Sequence, residues 1–171
     1  MTPSENDAKL RGEYLISVTN IERQISSVIA TLFYPEQDNH WRLILLLLHE
    51  KSLSLERKNE ILTEFLRLKY PDLLEKYPSP RIMKDIFSLR EDLGKRNPDE
   101  PDLNPHLISF VHVEPWEIRG RSMDMQGFKS ELEKCNLVSQ MLTEIENELK
   151  KRSKERNNNQ SRTPKENCET N

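Results

Sequence analysis

Six apolar residues near the start of the chain, Tyr14, Val18, Ile21, Ile25, Val28 and Leu32, recur at spacings of four, three, four, three and four. That period puts all six on one face of an α-helix, so one long amphipathic helix is expected from about residue 7 to residue 32. Glu13, Glu22 and Arg23 are then expected on its outer surface. A second stripe closes the chain: Phe128, Leu132, Cys135, Leu142, Ile145 and Leu149 predict a helix opening near Ser122 or Asp124 and running to about Lys151. Two long helices with one apolar face each must cover those faces against other helices. The expectation is therefore an all-α fold, an antiparallel bundle of four to five helices. Only four glycines in the chain favour helices over a sheet built on tight turns.

The middle of the chain supplies the shorter elements. The run LILLLL at 43–48 predicts a helix over about 41–49, buried on most sides. Its six residues fall far short of the ~20 that cross a bilayer. Ser52 or Ser54 reads as the N-cap of a third helix reaching Tyr70, with Leu55, Ile61, Leu62, Phe65, Leu66 and Leu68 inside and Arg57 and Lys58 outside. Pro71 breaks it, and residues 72–77 read as a short helical turn. Ser79-Pro80 is a start signal for a central helix carrying Ile82, Ile86, Leu89 and Leu93. It stops at Asn97, because the residue before Pro98 is pushed out of the α region. HLISFVHV at 106–113 reads as a strand, and WEIRGR at 116–121 as its partner in a small β-hairpin-like insertion before the last helix.

Charge divides the chain unevenly. The formal net charge is −3, which gives no global case for nucleic acid. From Lys150 onward, seven Lys/Arg stand against three Glu, so the remainder carries −7. Residues 7–152 are expected to form the folded domain, and 153–171 a disordered, polar and basic tail with nothing to bury. Such a tail either touches RNA or keeps the chain in solution, and the second is the plainer expectation. The start, MTPSENDAKL, shows no signal-peptide pattern, and the expected location is the cytoplasm, away from membranes. Cys135 and Cys168 have neither a metal-ligand nor a disulfide spacing, and no cofactor or metal site is expected.

The candidate site lies at the polar end of the central helix. A long first helix, a leucine-rich middle, a helix ending Leu93-x-x-Arg96-Asn97, an extended excursion and a long last helix follow in order. That order resembles the HEPN superfamily, small helical bundles many of which are metal-independent ribonucleases of toxin–antitoxin and antiviral systems. The resemblance covers about 7–152. It implies a homodimer with a shared cleft, RNA as substrate, an antitoxin or other protein as partner, and catalytic roles for Arg96, Asn97 and a histidine. In the family that histidine follows the arginine by about four to six residues. Here Pro98, Asp99, Glu100, Pro101 and Asp102 occupy the interval, and the first histidine is His106.

Metal-free RNA cleavage explains those residue types: one group takes the 2′-hydroxyl proton, and a cation stabilises the charged phosphorus centre. His106 and Arg96 would fill these tasks. The plainer reading makes Arg90, Lys95 and Arg96 partners of the helix dipole and Asn97 a helix-end residue. In that case the chain is a non-catalytic bundle that binds a partner protein or a nucleotide. His40, His49 and His112 have no partner at ligand spacing, while Arg119 and Arg121 flank Gly120 where they could reach RNA.

Overall fold

A computed structural model of the chain describes residues 3–34, 43–44, 53–94, 107–114 and 117–160. Five helices stand among them: α1 (Pro3–Phe33), α2 (Leu55–Lys69), α3 (Pro71–Lys76), α4 (Ser79–Gly94) and α5 (Met125–Gln160). Between α4 and α5 runs an antiparallel two-stranded ribbon, β1 (Leu107–Glu114) and β2 (Glu117–Asp124), in which His112 is in register with Arg119 and Phe110 with Arg121. Among the described residues the architecture is an all-α bundle with this ribbon set between α4 and α5. Of the leucine-run helix expected at 41–49, only positions 43 and 44 are described, both helical; the rest lies outside the described residues.

The core follows the apolar stripes. Tyr14, Val18, Ile21, Ile25 and Val28 of α1 are buried, as are Phe128, Cys135, Leu142, Ile145 and Leu149 of α5. Met83, Ile86 and Leu89 of α4 join them. The β-branched residues of α1 lower its intrinsic helicity by no more than ~0.7 kcal/mol each. Full burial of each side chain is worth about 1.5–3 kcal/mol, so packing holds the helix. The Tyr14 hydroxyl keeps a partner inside the core, donating to the Ile86 carbonyl at 2.8 Å.

The two long helices run in the same direction, which corrects the antiparallel expectation for this pair. Tyr14 meets Phe128 edge to face, Gln24 donates to Thr143, and Ser27 donates to Glu146 at 3.1 Å. Both residue numbers rise together along the contact. A stripe's period fixes a face and carries no direction, so the sequence left this open. α2 also runs with α1, Lys58 meeting Glu22 and Phe65 meeting Phe33, and ends beside α5 where Tyr70 meets Arg152, while α4 reaches Tyr14 at Ile86.

Local expectations change at Glu22, Lys58, Leu68, Ser79 and the end of α5, while the expected cap at Ser54 holds. Glu22 and Lys58, expected on the surface, are buried, while Leu68, expected inside, is 70% exposed. Ser54 caps α2, its hydroxyl accepting from the Arg57 amide at 3.3 Å. Ser79 does not cap α4: the Pro78 carbonyl takes the Arg81 amide at 3.1 Å, and the Ser79 hydroxyl is buried without a hydrogen bond among the described residues. Finally, α5 continues to Gln160, so residues 153–160 are helical rather than disordered. Arg152 and Arg156 sit one turn apart over the Tyr70 ring and hold this polar extension where burial cannot.

Candidate functional site

Arg96, Asn97 and His106 lie outside the described residues, in the connection between Gly94, the last residue of α4, and Leu107, the first of β1. The elements at its two ends touch: β1 packs against α4, and β2 against α5. His112 stands on β1 in register with Arg119 of β2, toward the end of the ribbon away from Leu107.

Behind α4 is a group the sequence reading missed. Glu22 of α1 accepts a hydrogen bond from the Lys58 ammonium of α2 at 2.6 Å, both side chains almost wholly buried. Its other carboxylate oxygen faces the Arg90 guanidinium of α4 at 3.6 Å. One carboxylate thus joins three helices. Its oxygens are engaged and Lys58 is sealed from solvent, so neither can take a proton from a substrate or bind a phosphate. What the group does is tie α4 to α1 and α2. The signal was present in the spacing. Lys58 sits three residues after Leu55 and four before Leu62, and Glu22 four after Val18 and three before Ile25. Both charges fall in register with an apolar stripe.

Two grooves open on the described surface. One, about 290 Å³, lies between α2 and α4, with Asn59 and Phe87 in its wall and Glu56, Glu60 and Lys84 at its rim. The other, about 430 Å³, is lined by Pro71, Leu74, Pro78, Pro80 and Arg81 at the α2–α4 corner. The Asn59 amide in the first wall donates to the Pro80 carbonyl at 3.2 Å, a structural tie across α2 and α4.

Cys135 is no nucleophile. Burial, reinforced by the negative charge of Glu131, pushes its thiol up to about 12, so the thiolate is absent at neutral pH. Among the described residues, no three His, Cys, Asp or Glu side chains gather as a metal centre would need, and no helix is long and apolar enough to cross a membrane. Comparison with known protein families, with curated proteins and with solved structures finds no match to this chain.

Proposed function

We propose that this chain is a HEPN-like helical protein of the cytoplasm that cleaves RNA without a metal, in a toxin–antitoxin or antiviral defence system. Arg96 stabilises the charge that develops on the phosphate, Asn97 orients it, and His106 takes the 2′-hydroxyl proton. Two copies pair to form the cleft, and an antitoxin or other protein partner restrains the activity. The observation that supports this reading is the contact between α4 and β1. Those two elements pack together, and in the sequence Arg96 and Asn97 follow the first while His106 precedes the second.

A second reading rests on the sequence between Arg96 and His106. Asp99, Glu100 and Asp102 put negative charge where an RNA phosphate would sit. On that reading the bundle is a non-catalytic module that binds a partner protein or a nucleotide. Incubation of the purified protein with RNA in EDTA separates the two. Cleavage by the wild type that disappears in both Arg96→Ala and His106→Ala supports the nuclease. An inert wild type rejects it and leaves the binding module.

A further inference from the structure

A second surface lies at the other end of the molecule, where α1 and α2 finish and the polar half of α5 passes. Phe33 and Phe65 meet with ring centroids 4.8 Å apart, and the Lys69 ammonium lies over Phe65 at 5.9 Å. Next in the chain, Tyr70 carries the guanidinium groups of Arg152 and Arg156 over its ring, at 5.6 and 5.9 Å. Two groups of aromatic rings and cations thus lie near the ends of α1 and α2. Phe33 and Tyr34 are about half exposed. Only 6% of the chain is aromatic, so this clustering does not follow from composition.

Charge concentrates along the same stretch of α5. Residues 150–156 hold five Lys/Arg and one Glu. Lys150 is paired with Glu146, Arg152 with Asp72 and, nearby on α2, Arg67 with Glu64. Among the described residues, Lys151, Lys154 and Arg156 make no ion pair, and all three are exposed on a helix that keeps them in fixed positions. The rest of the molecule is acidic, so an incoming polyanion is repelled elsewhere and steered to this end.

We infer that this end of the bundle is a docking surface for single-stranded nucleic acid. Lys151, Lys154 and Arg156 take the phosphates, and bases stack on Phe33 and on the outer face of the guanidinium groups held over Tyr70. A membrane is a poorer fit, because residues 150–160 contain no apolar side chain to enter a bilayer. An acidic protein would use the cations and leave the aromatic rings idle. The surface is independent of the cleavage chemistry, and stands whether or not Arg96 and His106 are catalytic.

The test is fluorescence anisotropy of a labelled fifteen-nucleotide oligothymidylate with the full-length protein. DNA lacks the 2′-hydroxyl that the proposed cleavage needs, so binding is read without cutting. Wild type is expected to bind at low salt. Lys151→Gln/Lys154→Gln/Arg156→Gln is expected to bind at least tenfold more weakly, with a salt slope shallower by about two, given ~0.7 per phosphate contact. Phe33→Ala is expected to weaken binding and leave the slope unchanged. Running the RNA cleavage assay in EDTA alongside keeps a failure of the nuclease reading distinct from a failure of this one: a wild type inert on RNA that still binds the oligothymidylate rejects cleavage and leaves this surface standing. The inference is overturned if wild type does not bind, or if the triple variant binds equally well with circular dichroism showing it folded. It is equally overturned if poly-glutamate or phosphatidylserine vesicles compete as effectively as the unlabelled oligonucleotide.

Discussion

Two cation–carboxylate pairs join α5 and α1 to the middle helices, and they sit in opposite solvents. Lys58 and Glu22 meet inside the core, both nearly sealed from water. Arg152 grips Asp72 with both guanidinium nitrogens on the surface, and the Asp72 side chain is 59% exposed. The hydrogen-bonding chemistry is alike; the surroundings decide what each pair does. Inside, desolvation of two ions opposes their attraction, so the pair adds little net stability yet makes each partner indispensable to the other. Outside, water and salt stand in for either partner, and the pair acts mainly as a guide for the end of α5.

That contrast predicts a graded series, with the largest effect in the core. Lys58→Met leaves a buried carboxylate facing only Arg90 and is expected to destabilise the protein by about 3–5 kcal/mol. Adding Glu22→Leu removes the stranded charge, and the double variant is expected to recover most of that loss. Urea denaturation of wild type, single and double variants reads the cycle. A single variant as stable as wild type would mean that the ammonium is hydrated and the contrast is false.

Arg90 provides the intermediate case. Its side chain is 32% exposed and its guanidinium stands 3.6 Å from Glu22, longer than a hydrogen bond. Arg90→Met is therefore expected to cost about 1 kcal/mol, well below Lys58→Met. The same urea series measures it. An effect as large as that of Lys58 would show that Glu22 depends on both cations equally.

The series also shows what the sequence could and could not reveal. The stripes of α1, α4 and α5 were legible because each long run repeats the same period, and burial follows period closely there. The errors at Lys58 and Leu68 share one cause. Spacing outweighs residue type there: Lys58 lies in register with Leu55 and Leu62, whereas Leu68 faces nearly away from the buried Leu66. The extension of α5 past residue 152 was hidden for another reason. Its support is Tyr70, more than eighty residues away in sequence, and no local pattern reports such a partner. The direction of α5 relative to α1 was illegible because periodicity is symmetric under reversal. The candidate site was legible only as a motif in part, since Arg96, Asn97 and His106 are separated by a proline-rich connection whose course no periodic signal specifies.

The smallest expected effect is at the surface, and its pH dependence carries the sign. Hydrogen bonding to Arg152 holds the Asp72 carboxyl below its ordinary value of 3.8, against a smaller opposing effect of desolvation. A carboxylate whose folded value is depressed favours folding above its unfolded value, and that contribution is lost as pH falls through the folded one. Asp72→Asn should therefore match wild type most closely below pH 3.8 and fall slightly behind it at neutral pH. Raising the salt should shrink the neutral-pH gap, because an exposed pair is screened whereas Glu22–Lys58 is not. The local consequence is larger than the global one: without Asp72, hydrogen exchange should rise in residues 153–160 while the amides around Ile21 and Ile145 stay protected. Equal protection of residues 153–160 in wild type and variant would transfer the anchoring of α5 to the Tyr70 ring alone, and the variant to examine next would be Tyr70→Leu.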